Sequence, residues 1–321
     1  NNELKNLSLE WKVLSDDYLP EKARENVQQL INENIRLLVC PLGSEPFSGY
    51  VDLIEKGLIT TLFPIPGQPG KRSTLKLKHC IYLTPSYEDE TKALCYYILK
   101  NMAPKHIMMI YQDDVFGKVV TETAKKILDA HKIKYTSIPY KRNDMDVTSQ
   151  INAIDQSDAD VIGLFSSPDI GKKILQNIKD STIKAKQFFF TKDLGETAIK
   201  KILKDRNISY FLSGSFPNLL TSNLEIIKEF FEEQKASQIP SDIFAFEVYV
   251  GAKLFIDTLK KIQGPVNQET IIKAFENIKN YNFKGFTLNF NHENRQLLNT
   301  VWIDTGKEDW VQIDMATIEQ T

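Results

Sequence analysis

The side chains able to carry chemistry are few in this chain and widely spaced. Four histidines, His79, His106, His131 and His292, fall in separate segments, at no spacing that would gather them on one metal ion. Three cysteines, Cys40, Cys80 and Cys95, are too few for a disulfide scaffold or a zinc site. One bridge with a free thiol, or three buried thiols packed as small hydrophobes, both fit. Two acid pairs, Asp16-Asp17 and Asp113-Asp114, read as solvated turn acids, with divalent-cation binding as the alternative. Gly67-Gln-Pro-Gly-Lys71 has the composition of a phosphate loop but neither its glycine spacing nor a hydroxyl after the lysine, and its prolines remove N–H donors. No G-x-S-x-G elbow, H-E-x-x-H pair or G-x-G-x-x-G fingerprint occurs. No catalytic residue, metal ligand or cofactor follows from these spacings.

The elements that must position any site come from a chain of 321 residues, long enough for two domains. A hydrophobic share of 42% beside 26% charged residues is ordinary globular usage. Forty basic against forty-two acidic residues leave a net charge of −2, which gives no electrostatic reason to expect nucleic acid or an anionic membrane as partner. No run of 18 apolar residues could span a bilayer. The chain opens Asn-Asn-Glu-Leu with no initiator Met or signal peptide, which reads as a trimmed N-terminus.

Strand and helix patterns alternate through most of the length. Alternation over Leu7–Leu14 predicts a strand, and Pro20-Glu21 opens a helix to about Asn34. Strands follow at 35–40, 58–63 and 80–84, with helices up to Lys56 and over 87–101 and a Pro/Gly-rich loop at 64–70. Strands at 106–111, 135–140, 161–165, 187–190 and 210–212 then alternate with helices at 115–131, 147–156, 171–180 and 194–204. Nearly uninterrupted apolar strands such as His106–Tyr111 argue for parallel sheets covered on both faces. Residues 223–280 turn helical, and 283–313 read as short strands. Ligands of open α/β sheets sit beyond the carboxyl ends of the strands, so the loops after Cys40, Phe63, Tyr111, Phe165 and Phe190 are the candidates.

Several stretches, in order along the chain, resemble the type I periplasmic binding proteins, specifically the leucine/isoleucine/valine-binding branch. They are Asp16-Asp17 with Pro20-Glu-Lys-Ala-Arg-Glu-Asn26 and Leu30-Ile31, Val39-Cys-Pro-Leu-Gly-Ser44, Tyr82-Leu-Thr-Pro-Ser86, Gln112-Asp-Asp-Val-Phe-Gly117, Ala159-Asp-Val-Ile-Gly163 and Glu247-Val-Tyr-Val-Gly-Ala252. The resemblance implies an α/β fold of two Rossmann-like lobes with parallel sheets flanked by helices, joined by a three-strand hinge and closing over a ligand. Lobe 1 would hold residues 1–104 and 218–296, and lobe 2 residues 105–217 and 297–321. The family's first strand–helix unit is expected to be missing.

The resemblance also names site residues. Ser44 falls where the family holds a ligand carboxylate; it reads equally as a helix cap. Glu45 beside it would repel that carboxylate unless turned away. Ile65 and Gly67 lie in the loop that lends the family backbone groups and a small hydroxyl, which Gly67 lacks. Phe116 matches an aromatic that covers the ligand, or else staples its helix. Ser166 and Ser167 could donate to a ligand or cap the following helix. In Phe190-Thr-Lys-Asp-Leu-Gly195 the family's ammonium-pairing acid corresponds either to Lys192, which has the wrong sign, or, one residue on, to Asp193. Asp193 would suit an amine; Lys192 would prefer an acidic or neutral ligand. Phe246 reads as a core aromatic or a ligand wall.

What the resemblance implies is an extracytoplasmic solute-binding protein, not an enzyme, needing no cofactor. It would capture a small amino acid or related carboxylate for the membrane permease of an ATP-binding cassette (ABC) transporter. The protein would be a monomer, periplasmic or extracellular, with a cell-surface lipoprotein as a variant. A ligand-sensing receptor domain, or a relative that binds protein instead of a small molecule, are the alternatives.

Overall fold

The computed structural model describes residues 8–65, 72, 77–195, 197–237, 242–307 and 310–318. The chain divides into two compact units, residues 1–84 with 223–299 and residues 85–222 with 300–321. In chain order the first stretch holds α1 (Pro20–Asn32), β1 (Leu37–Val39), α2 (Ser44–Ser48), α3 (Val51–Glu55), β2 (Thr60–Leu62) and β3 (Cys80–Ile81). The second holds α4 (Tyr87–Met102), β4 (His106–Gln112), α5 (Val115–Ala130), β5 (Lys134–Tyr140), α6 (Thr148–Gln156), β6 (Val161–Phe165), α7 (Pro168–Asn177), α8 (Asp180–Ala185), β7 (Gln187–Phe190), α9 (Thr197–Asp205) and β8 (Tyr210–Gly214). The chain then returns to unit 1 with α10 (Glu225–Ser237), α11 (Ile243–Lys261), α12 (Gln268–Glu276), β9 (Tyr281–Phe283) and β10 (Phe286–Leu288). It ends in unit 2 with β11 (Thr300–Asp304) and β12 (Val311–Asp314).

Unit 2 is built on a seven-stranded sheet of order β12-β11-β8-β7-β6-β4-β5, in which β11 pairs antiparallel to β8 and to β12 and the other pairs are parallel. Its central strands β4, β6 and β7 are apolar on both faces. Met108, Ile110, Ile162, Leu164, Phe188 and Phe190 pack into one core with Ile154, Ile170, Ile174 and Ile199. Ile107, Met109, Val161, Phe165 and Phe189 pack into the other with Leu94, Ile98, Val120 and Leu128. Alternate residues of one strand thus feed two cores, as a parallel sheet under two helix layers requires. Gly163 is part of this fit, since a Cβ there would come 2.6 Å from the Phe189 ring.

Unit 1 carries the parallel sheet β1-β2-β3 and the hairpin of β9 and β10. One core gathers Ala23, Val27, Phe47, Tyr50, Leu53 and Cys80. On α11, a Cβ at Gly251 would stand 2.9 Å from the Cys40 sulfur and 3.1 Å from Phe63, so the glycine lets the helix lie directly on the ends of β1 and β2.

The structure corrects several expectations. Residues 8–14 form no strand; Trp11 and Val13 are 62% and 90% exposed, because alternation alone cannot make a strand without a partner ladder. They run irregularly and, with Leu37 to Leu42 and Tyr50, line a groove of about 940 Å³ beside β1. The strand expected at 80–84 stops after Ile81, where Tyr82 and Leu83 change partner and bond Arg295, Leu297 and Leu298. The helix expected at 171–180 starts earlier, at Pro168, and Asp180–Ala185 forms a helix of its own. Residues 85–104, expected in the first lobe, belong to unit 2 because α4 packs on α5, β8 and β11.

The three cysteines are free. Burial pushes each thiol up to about 12. Alkylation without reductant should therefore add three groups to the unfolded chain and none to the folded chain at pH 8, read by intact mass. Gly163→Ala should lower unfolding stability by about 1–3 kcal/mol, read by urea denaturation, because the added methyl overpacks a rigid sheet interface.

Candidate functional site

In unit 2 the chain leaves β4 toward β5 on one side and later β6 on the other, so the sheet has its switch point between β4 and β6. Polar side chains appear where the apolar strands end. Gln112, the last residue of β4, is buried, and its side-chain carbonyl accepts from the Tyr140 hydroxyl at 3.0 Å. The same hydroxyl accepts the Ser167 backbone N–H at 3.0 Å. Gln112 also donates to Asp114, whose carboxylate caps α5 through the Gly117 N–H at 3.1 Å. Burial, against the Ser167 hydrogen bonds and with a smaller push from Asp114 and Asp193, raises the Tyr140 hydroxyl to about 12.

The densest group lies after β7 and β8. Residues Lys192–Leu194 form one turn of 3₁₀ helix directly beyond Phe190 and Thr191. Their side chains diverge. Lys192 is 1% exposed, its ammonium 3.7 Å from Glu90 Oε1 and 3.2 Å from Ser215 Oγ. Asp193 is only half-buried, and its carboxylate accepts the Tyr87 hydroxyl at 2.7 Å and the Thr191 hydroxyl at 2.9 Å. Glu90 has no exposed surface; Oε2 accepts Ser213 Oγ at 2.6 Å and the Lys192 backbone N–H at 3.4 Å. Burial raises the Glu90 carboxyl to about 7 against the opposing pull of Lys192. Burial likewise raises Asp193, against the hydroxyl of Tyr87 and the charge of Lys192.

The other expected site residues are placed as follows. Phe116 is buried on the first turn of α5, its ring 4.6 Å from that of Tyr87 by centroids, so it packs behind the acid-bearing turn. Ser166 is fully buried with no hydrogen-bond partner for its hydroxyl. Ser167 holds the cap position of α7 but makes no side-chain cap bond. Ser44 is the first residue of α2, not its cap; Gly43 caps the helix, and the buried Ser44 hydroxyl has no hydrogen-bond partner. Glu45 follows it, half-buried, in the first turn. Ile65 is buried, and its backbone is already engaged, donating to Pro41 O at 2.8 Å and accepting from Gly43 N at 2.6 Å; it has no free N–H to lend. Gly67 lies outside the described residues. Phe246 is a core residue with no exposed surface, its ring edge-on to Phe230 at 5.3 Å.

Sequence reasoning missed Glu90, Tyr87, Thr191, Ser213 and Ser215. For Glu90 a signal existed, since it occupies the stripe Tyr87, Glu90, Leu94 and Ile98 that the helix buries. Asp113 pairs with Lys118 at 3.0 Å and Asp17 pairs with Lys22, which makes these acids turn residues. Among the described residues no three His, Cys, Asp or Glu side chains gather as metal ligands, and no helix is long and apolar enough to cross a membrane.

This arrangement, an α/β sheet with its polar groups at the carboxyl strand ends, has the periplasmic binding protein type I fold. Residues 8–308 match the periplasmic binding protein family, and the chain belongs to that family. A possible leucine/isoleucine/valine-binding protein from Rhodopirellula baltica SH 1 superposes with a TM-score of 0.82 at 18% identity, over 99% of this chain and 88% of that one. The leucine binding protein LivK from Thermotoga maritima MSB8 gives 0.81 at 12% identity, over 96% and 89%. A solute binding protein of an ABC transporter from R. palustris, in complex with benzoate, gives 0.78 at 14% identity, over 96% and 85%. No curated protein sequence matches the chain.

The raised Glu90 carboxyl makes a pH prediction. An acid lifted from 4.5 to about 7 keeps its proton in the folded chain where the unfolded chain has lost it, so its contribution to stability declines as pH rises through that window. Glu90→Gln removes this dependence. The stability of the variant relative to wild type should therefore improve from pH 4.5 to pH 7, by up to about 3 kcal/mol, read by denaturant titration at several pH values.

Proposed function

We propose that this chain is an extracytoplasmic solute-binding protein that takes a small molecule bearing an amine, an amino acid in the first place, and presents it to the membrane permease of an ABC transporter. The observation that supports this reading is the divergence of Lys192 and Asp193. The lysine is held inside the unit, and the half-buried carboxylate stands at the carboxyl end of β7, steadied by two hydroxyls. Such a carboxylate is already desolvated and oriented, and its preferred partner is a cation.

Among the described residues the charge of Lys192 acts on both the Glu90 and the Asp193 carboxyl, and a ligand ammonium would stand as a second cation beside Asp193. Ser166, whose buried hydroxyl has no partner, is a further donor or acceptor at the end of the neighbouring β6. The relatives differ in just this chemistry. One is described as leucine binding and another holds benzoate, which has a carboxylate but no amine. Capture of this kind involves no bond-making step.

Ligand-free protein, stripped by unfolding and refolding, should be screened by thermal shift against the standard amino acids and their deaminated acids. A ligand at 100 times its dissociation constant adds about 2.7 kcal/mol of stability, which raises the melting temperature by roughly a few degrees. Amino acids should do so and the deaminated acids should not. Asp193→Asn should weaken the best amino acid about 10- to 100-fold by titration calorimetry, the loss of one charge-assisted contact. A response to deaminated acids alone would sink the amine reading.

A further inference from the structure

The carboxylate plane of an aspartate turns in a broad torsional well unless hydrogen bonds fix it. Asp193 is held from two directions. Thr191 donates to Oδ2 at 2.9 Å from the same short turn, and Tyr87 donates to Oδ1 at 2.7 Å from the start of α4, 106 residues earlier in the chain. The first contact is local and travels with the turn; the second ties the carboxylate to the body of the unit. An ionised carboxylate has about four acceptor sites. Two hydroxyls and the residue's own N–H leave room there for an N–H from a ligand.

Tyr87 itself is firmly seated. It is 4% exposed and follows Ser86, which caps α4 in a box with Asp89: the Asp89 N–H donates to Ser86 Oγ at 3.1 Å and the Ser86 N–H to Asp89 Oδ2 at 2.9 Å. Its carbonyl accepts the Thr91 hydroxyl at 2.7 Å, and its ring lies 4.6 Å from that of Phe116 by centroids. The other charged or titratable groups that act on Asp193 or feel its charge are Lys192 on the same turn, Glu90 on α4 and Tyr140 on β5. Burial pushes the Asp193 carboxyl up, and the Tyr87 hydroxyl opposes that push most strongly, ahead of the charge of Lys192.

We propose that Tyr87 is a positioning residue of this site: its hydroxyl fixes the plane of the Asp193 carboxylate, so that the acid meets the ligand as an oriented hydrogen-bond acceptor and selects ammonium groups that carry N–H. The proposal rests on the reading of Asp193 as the ligand's amine partner. A primary ammonium brings N–H donors to such an acceptor; a quaternary one has none and is held by open aromatic faces instead. The Tyr87 ring, buried beside Phe116, offers no such face. Without the Tyr87 hydroxyl the carboxylate keeps only the local contact to Thr191, has less to oppose its burial, and takes up a proton at higher pH.

The test compares wild type with Tyr87→Phe, which keeps the ring and its packing, by titration calorimetry from pH 5 to pH 8. The ligands are leucine, or whichever standard amino acid binds best in the thermal-shift screen, and its N,N,N-trimethyl derivative. Wild type should bind the amino acid at least tenfold more tightly than the trimethyl derivative. Tyr87→Phe should lose about 10-fold in affinity for the amino acid at pH 7 and less for the trimethyl derivative, and its loss should be greater at pH 5 than at pH 8. A merely structural role for the hydroxyl would lower the melting temperature and weaken both ligands alike at every pH, which overturns the proposal. So does unchanged binding. If Tyr87→Phe does not fold, wild type decides: a preference below tenfold overturns the selection of N–H-bearing groups, and a larger one supports it. Failure of the wild type to bind any standard amino acid overturns the amine reading itself, and it is seen before any variant is made.

Discussion

A strand covered on both faces has no place for a polar side chain until it ends. That constraint organises unit 2. Phe188 and Phe190 fill one core and Phe189 the other, so β7 has no outward side on which a charged group could be placed. The first polar residues come directly after it, as Thr191, Lys192 and Asp193. The same displacement puts Ser166 after β6 and, where β8 ends, Ser213 and Ser215. Lys192, Glu90, Asp193 and their hydroxyl partners gather at one sheet end because the strand interiors exclude them.

Proximity then makes an electrostatic problem of the gathered groups. Glu90 and Asp193 are both desolvated, and each is raised by burial. A buried ion pair adds little net stability, since removing both ions from water offsets most of their attraction, and a neutral pair of similar volume would hold α4 against β7 and β8 about as well. Hydroxyls from Ser213, Ser215, Tyr87 and Thr191 supply hydrogen bonds to these desolvated charges, while Glu90 Oε1 has none.

The fold was readable where periodicity was strong and local. The strands at 106–111, 161–165 and 187–190 and the helices at 115–131 and 147–156 emerge within a residue or two, because unbroken apolar runs between turn residues have few other solutions. The failures share a cause, which is that pairing is not local. Residues 8–14 alternate correctly and have no ladder, and residues 80–84 are extended but divide between two partners. At the site, the divergence of Lys192 and Asp193 was not legible in the sequence, because Glu90 and Tyr87, which meet them, lie about a hundred residues away in the chain. Glu90 itself stood among Glu88 and Asp89 as one more acid of a helix's first turn. Phe246 illustrates the converse, since an aromatic near a helix start reads the same way whether it lines a core or a ligand.

Fold and ligand are therefore set by different residues. Relatives at 12–18% identity keep the architecture at TM-scores of 0.78–0.82, and the descriptions of two of them name leucine and benzoate. The sheet and its two helix layers tolerate that divergence because volume-conserving apolar exchange preserves them. The residues after the strands are under no such packing rule, and a change of one charge there alters which solute fits. In this chain residues 192 and 193 carry opposite charges within a single 3₁₀ turn, the lysine buried beside Glu90 and Ser215 and the aspartate half-buried against Tyr87 and Thr191.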